Sequence, residues 1–283
     1  MAEIWKDAPV AAAISEVLTG RVAELKEKGV CPTLAILRVG ERPDDISYET
    51  GAMKRCDKIG IAVKQFLLPA DCTKEQLLDA VRQINEDNTI HGCLMFRPLP
   101  DKQMEKAACE LLSPAKDVDC MTAGSLTGVF TGSGAGYPPC TAQACIELLE
   151  HYGVQLTGKR AAVIGRSLVI GKPVSMMLQA RNATVTMCHT KTVDMPALCR
   201  EAEIVIAAAG KAGVVTEDYA APGQVIVDVG INVDENGKLC GDVAFGQVEP
   251  IVGAITPVPA GVGSVTTAVL AKHVVEAAEK TLE

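Results

Sequence analysis

Arg160-Ala-Ala-Val-Ile-Gly-Arg-Ser-Leu-Val-Ile-Gly-Lys-Pro173 is the stretch whose reading decides the fold. A buried-looking apolar run enters a glycine, a short loop follows, and a helical pattern opens at Lys172. Gly165 lets the chain turn tightly, and Pro173 suits the first turn of a helix, where a missing N–H is no loss. The free amides and dipole at such a helix start favour a diphosphate. Gly165, Gly171 and Pro173 are therefore cofactor-binding candidates in a Rossmann-like lobe, although G-x-G-x-x-G itself is absent.

Downstream, apolar runs at 184–189, 204–209 and 224–230 continue a doubly wound strand pattern. Upstream, strand-like runs at 32–40, 61–68 and 91–96 alternate with helical patterns at 45–59 and 73–86, the second opened by a Thr73 cap. Residues 1–19 mix charge and apolar side chains as an amphipathic helix. Glycines and prolines at 122–139 break the rhythm, and the lobe boundary is placed near them. The expected fold is α/β in two lobes: an N-terminal lobe over 1–140, completed by a helical segment at 264–283 that packs back on it, and a nucleotide-binding lobe over 141–263.

The size fits two cores, since 283 residues is about twice a typical domain. A net charge of −8 argues against nucleic acid as a partner. Eleven cysteines stand mostly in apolar contexts without C-x-x-C pairing, so they read as reduced thiols and no metal is expected. No signal-peptide core or membrane-length apolar run is evident, and the cytoplasm is the expected compartment, with no membrane partner.

An NAD site usually places an acid at the end of the strand that follows the glycine turn, to accept from the ribose 2′-hydroxyl. Here that strand ends Cys188-His189-Thr190-Lys191. With Arg166 nearby, such donors suit a 2′-phosphate, so NADP is expected in preference to NAD. His189 reads equally well as a phosphate contact or as a satisfied strand-end histidine.

At this point the chain resembles the methylenetetrahydrofolate dehydrogenase/cyclohydrolase family. The resemblance runs through Gly165 to Pro173, Asp228-Val-Gly-Ile-Asn232, Gly241-Asp-Val243 and Thr256-Pro-Val-Pro-Ala-Gly-Val-Gly263. It extends to Val39-Gly40 with Tyr48, Pro98-Leu99-Pro100, Lys116-Asp-Val-Asp119 and Pro139-Cys-Thr141, in the family's order. It implies a folate-holding first lobe, an NADP-holding second, a cleft where they react, and a homodimer. Tetrahydrofolate is the implied substrate carrier. Tyr48 would stack on the folate and Asp119 would hydrogen-bond the pterin, both as catalytic and substrate-binding residues. Pro259, Gly261 and Val262 would approach the substrate. Thr141, Thr190, Gly210, Ile231 and Thr266 would join Arg166 and Ser167 at the cofactor.

The same resemblance exposes departures. Bifunctional members carry a lysine four residues after the tyrosine, and here that position is Ala52. The glutamine expected two residues before Pro98-Leu99-Pro100 is Phe96. Asp45 stands where a serine is common, and Cys120 where a glycine follows the K-D-V-D run. These changes imply NADP-dependent oxidation of 5,10-methylenetetrahydrofolate with weak or absent cyclohydrolase activity. The alternatives are a bifunctional enzyme, in which Arg55, Arg97 or a water restores hydrolysis, and a folate- and nucleotide-binding regulator without turnover.

Overall fold

The computed structural model describes residues 1–282. In chain order its strands and α-helices are β1 (Glu3–Ile4), α1 (Asp7–Glu27), β2 (Thr33–Val39), α2 (Pro43–Ile59), β3 (Ala62–Leu68), α3 (Lys74–Glu86), β4 (Gly92–Met95), α4 (Lys102–Leu111), α5 (Ala123–Thr131), α6 (Cys140–His151) and β5 (Arg160–Ile164). There follow α7 (Gly171–Gln179), β6 (Thr184–Cys188), α8 (Met195–Arg200), β7 (Ile204–Ala207), β8 (Val225–Asp228), β9 (Asn232–Val233), β10 (Leu239–Cys240), α9 (Phe245–Val248), β11 (Ala254–Ile255) and α10 (Gly263–Glu279). The chain forms two compact units: Met1–Ala11 with Thr141–Thr266, and Ala12–Cys140 with the chain from Thr267 onward.

The second of these units is built on a parallel sheet of order β3-β2-β4. The central strand β2 is buried at every residue, which is why it reads as a mostly apolar run, with Arg38 its one charged member. Behind it, α3 starts with a reciprocal cap: the Thr73 hydroxyl accepts from the Gln76 amide at 3.2 Å and the Gln76 side chain accepts from the Thr73 amide at 2.8 Å. Leu77, Ala80, Val81 and Ile84 then fall on one buried face.

The other unit holds a six-stranded sheet of order β1-β11-β8-β7-β5-β6, every pair parallel. Ala162, Val205 and Ile226 are fully buried on three of its strands, each removing side-chain surface worth roughly 1 to 3 kcal/mol.

Two expectations need correction, and one element was not expected. The first residues are not an amphipathic helix from the start: β1 pairs with β11, Glu3 opposite Ala254 and Ile4 opposite Ile255. Trp5 stacks on Tyr152 with ring centroids 4.5 Å apart. The Asp7 carboxylate accepts from the Ser264 amide at 2.8 Å, in the first turn of α10. Met1–Ala11 thus belongs with the nucleotide-type sheet, not with a lobe running from residue 1 to 140. Within the glycine-rich stretch lies a helix, α5, whose start is capped by the Thr122 hydroxyl accepting from the Ser125 amide at 3.1 Å. Its glycines hid it from propensity. The small antiparallel pair β9-β10 is a third element that the strand rhythm did not reveal.

Candidate functional site

Helix α2 is fastened to its sheet by charge. Arg38 on β2 donates from Nε to the Glu49 carboxylate at 2.7 Å, both side chains nearly buried, and the Gln65 amide of β3 donates to the same carboxylate. Removing one partner of such a pair leaves a buried charge, at a cost of about 3 to 5 kcal/mol. Arg42, just before the helix, donates to the Pro98 carbonyl at 3.0 Å. The face of α2 that carries Tyr48 is thereby set against the segment after β4.

On that face Tyr48 meets Phe96 edge-on, with centroids 5.9 Å apart and planes at 81°. Ala52, one turn further on, is 1% exposed and Phe96 is 7% exposed. Of the alternative cations, Arg55 donates to the Ser15 hydroxyl of α1 at 2.9 Å, and Lys54 is exposed. Arg97 is half-buried and works beside Cys109, Asp119 and Cys120. Asp45 is buried, 3.8 Å from Arg42.

The Lys116-Asp-Val-Asp119 run has a separate job at each position. Lys116 donates to the carbonyls of Ile84, Asn85 and Asp87 at the end of α3, at 2.6, 2.9 and 2.8 Å. The fully buried Asp117 carboxylate folds the turn by accepting from the Met121 and Thr122 amides at 2.8 and 2.7 Å. Within that turn Cys120 has φ 57, the left-handed region, which accounts for a glycine being usual there. Asp119 accepts from the Cys140 amide at 2.9 Å. Burial pushes the Asp119 carboxyl above its usual range, against the pull of that amide and of Arg97. Tyr48 is likewise pushed well up, by burial first and then by Cys140 and Asp119.

All the other candidates lie in the unit of Met1–Ala11 and Thr141–Thr266, including Pro259, Gly261 and Val262, which the resemblance sets against the substrate. After β5, Gly165 has φ 134, and a Cβ there would lie 2.1 Å from the Ala208 carbonyl oxygen. A Cβ on Gly171 would lie 2.2 Å from the Gly165 oxygen, so the loop closes on itself only with glycine at both places. The Ser167 hydroxyl accepts from the Ile170 amide at 3.1 Å, while Arg166 and Thr190 are exposed. His189 is committed to its turn: Nδ1 accepts from the Lys191 amide at 3.1 Å, leaving any phosphate contact to Nε2. Thr266 is buried, its hydroxyl 3.4 Å from the Val262 carbonyl it donates to, and Thr141 is half-buried.

Two acids that the sequence displayed only as motif letters hold the remaining loops. The Asp228 carboxylate accepts from the amides of Gly230, Asp242 and Val243 at 2.9, 3.0 and 3.0 Å. Burial pushes its carboxyl up to about 6 in spite of these donors. Asp242 accepts from the Gly210 and Lys211 amides and the Asn232 side chain, each at 2.9 Å. Gly210 and Ile231 are thus presented by one carboxylate-centred knot. Ile231 is 78% exposed at its rim. Among the described residues no group of His, Cys, Asp and Glu is arranged to hold a metal ion.

Two family models match this chain: the tetrahydrofolate dehydrogenase/cyclohydrolase catalytic domain over residues 6–119, and that family's NAD(P)-binding domain over 139–282. The chain belongs to the tetrahydrofolate dehydrogenase/cyclohydrolase family. The bifunctional protein FolD of Carboxydothermus hydrogenoformans is 53% identical over 281 residues, 99% of this chain and 98% of that one. FolD of Clostridioides difficile is 49% identical over 275 residues, 97% and 96% of the two chains. Among solved structures, the bifunctional FolD of Campylobacter jejuni superposes with a TM-score of 0.95 at 35% identity, covering 99% of this chain and 100% of that one. The Trypanosoma brucei FolD, complexed with NADP cofactor and inhibitor, gives 0.93 at 33% identity, covering 100% and 99%. As a member of this tetrahydrofolate dehydrogenase/cyclohydrolase family the chain is an enzyme, with two-lobe α/β architecture and an NAD(P)-binding Rossmann-like lobe.

Proposed function

We propose that this enzyme oxidises 5,10-methylenetetrahydrofolate to the 5,10-methenyl form with NADP, and that it hydrolyses the product poorly. The observation that carries the second half is local: Ala52 and Phe96 fill the positions of the hydrolytic lysine and glutamine, and Phe96 lies edge-on to Tyr48. An alanine methyl cannot polarise water, and a phenyl ring cannot hold a group that does. The dehydrogenase half needs no such pair. The carbon between N5 and N10 gives up hydride as a nitrogen lone pair stabilises the cation, so the protein's contribution is alignment.

In this reading Tyr48 stacks on the folate and the Asp119 carboxylate accepts from pterin N–H groups. The Gly165–Gly171 turn fits a diphosphate, because two side-chain-free positions let backbone amides come close to it. Arg166, Ser167 and Thr190 take the phosphates, with the absence of an acid at 188–191 favouring NADP over NAD. Gly210, Ile231, Thr141 and Thr266 serve the rest of the cofactor, and Pro259, Gly261 and Val262 approach the substrate. When bound, the nicotinamide supplies the hydride acceptor. The proposed setting is the cytoplasm, consistent with eleven unpaired thiols, and the proposed assembly, from the family alone, is a homodimer.

A second reading, a bifunctional enzyme that proceeds to 10-formyltetrahydrofolate, has the relatives' names behind it, and those names favour it over the loss of hydrolysis. One experiment separates the two. Purified protein is given methylenetetrahydrofolate with NADP or NAD, and reduced cofactor and methenyl absorbance are followed together. Methenyl product that accumulates in step with NADPH supports the first reading; its enzyme-dependent disappearance establishes the second.

A further inference from the structure

The Val118 carbonyl is an unusual acceptor: two side chains from distant parts of the chain converge on it, one step before the Asp119 carboxylate. His273, on α10 and 1% exposed, has Nδ1 2.8 Å from the Val118 oxygen. A carbonyl oxygen only accepts, so at this distance Nδ1 carries the proton and donates it, which fixes the tautomer. Cys140 Sγ lies 3.2 Å from the same oxygen and 3.7 Å from His273 Nδ1. Burial keeps that thiol protonated, so it too has a hydrogen to give. The Cys140 amide in turn donates to Asp119 at 2.9 Å. The imidazole is itself held from the side: its centroid is 5.1 Å from that of Tyr137, and Lys280 Nζ sits 4.4 Å from the Tyr137 ring centre.

We infer that His273 is a positioning residue for the folate-binding carboxylate, fixing the peptide that carries Asp119 through the Val118 carbonyl and, with the Cys140 thiol, setting the carboxylate's direction. The chain of contacts is short. With the Nδ1–H gone, the Val118–Asp119 peptide keeps only a weak thiol donor and is freer to rotate, and rotation of that peptide swings the Asp119 side chain off its Cys140 amide. This inference rests on Asp119 being the folate anchor, as proposed above. It names a control on that residue which neither the motif nor the helix pattern displays.

The test is a cycle of variants assayed as dehydrogenase: His273→Leu, His273→Asn, Asp119→Asn and the double variant His273→Leu with Asp119→Asn, each with its melting temperature. The Asn amide nitrogen can stand where Nδ1 stands and donate to the same carbonyl; leucine fills similar space and donates nothing. His273→Leu is expected to raise KM for methylenetetrahydrofolate roughly tenfold, the size of one lost hydrogen bond, with KM for NADP unchanged. His273→Asn is expected within about twofold of wild type on the same scale, and His273→Leu is expected to add little once Asp119 is already Asn. Equal behaviour of the Leu and Asn variants overturns the inference, as does a full tenfold effect of Leu in the Asp119→Asn background. Should Asp119→Asn leave the folate KM unchanged, the anchor assignment itself falls and the inference with it. A large effect of Asp119→Asn beside a neutral His273→Leu overturns the histidine's role alone.

Discussion

The ring of Phe96 stands edge-on to that of Tyr48, with 5.9 Å between centroids. In the proposed reading, Ala52 and Phe96 stand in place of the hydrolytic lysine and glutamine. Methenyltetrahydrofolate decay with enzyme present should therefore stay near the enzyme-free rate, since losing one general acid-base group typically costs about 10²- to 10⁴-fold. Ala52→Lys with Phe96→Gln should recover more hydrolysis than either change alone. A large enzyme-dependent decay in the unaltered protein would sink this account and direct attention to Arg97.

Arg166 directly follows Gly165 and is exposed, and the proposed reading sets it against the 2′-phosphate. Arg166→Ala should raise KM for NADP far more than KM for NAD, because a charge-assisted hydrogen bond contributes about 1.5 to 3 kcal/mol. Equal losses with both cofactors rule out a 2′-phosphate contact.

Asp119 is held above the ordinary carboxylate range by burial. A raised carboxyl takes up its proton at higher pH than usual, and the protonated form is a weaker acceptor that also turns one of its oxygens into a donor. The acid limb of kcat/KM for the folate should accordingly lie above about pH 4, the ordinary value, and vanish in Asp119→Asn. Asp119→Ala and Tyr48→Ala should lose folate turnover and keep NADP affinity by calorimetric titration. An Asp119→Asn profile with the same acid limb as wild type would assign that limb to another group.

Asp228 accepts three amides with one carboxylate. In Asp228→Asn an N–H₂ must face at least one amide donor, a mismatch that costs on the order of 1 to 3 kcal/mol. Both the melting temperature and NADP affinity should fall, since the same knot presents Gly210 and Ile231. A variant as stable as wild type would show that the carboxylate is not what holds these loops.

The alternation of strands and helices was legible because β2, β4, β5, β7 and β8 are buried runs bounded by glycine, proline or caps. Gly165 and Gly171 were legible as a turn, and their close approach explains why both are glycine. What stayed hidden depends on contacts between residues far apart in the chain. Nothing local marks Glu3–Ile4 as a strand, because the strand it pairs with, β11, lies about 250 residues away. His273 reads as one more residue of an apolar helix until Val118 is brought against it. Asp228 and Asp242 stood inside recognised motifs, yet letters do not tell a ligand-facing acid from one that ties loops together.

The pairing of β1 with β11 also sets an order of events in synthesis. Ile4 must wait for Ile255, about 250 residues further along the chain, before its strand exists. The sheet that holds the glycine turn therefore gains its outer edge last, by a closure whose entropic cost falls on a late step. Removal of residues 1–6 would bare β11 to pairing with other chains.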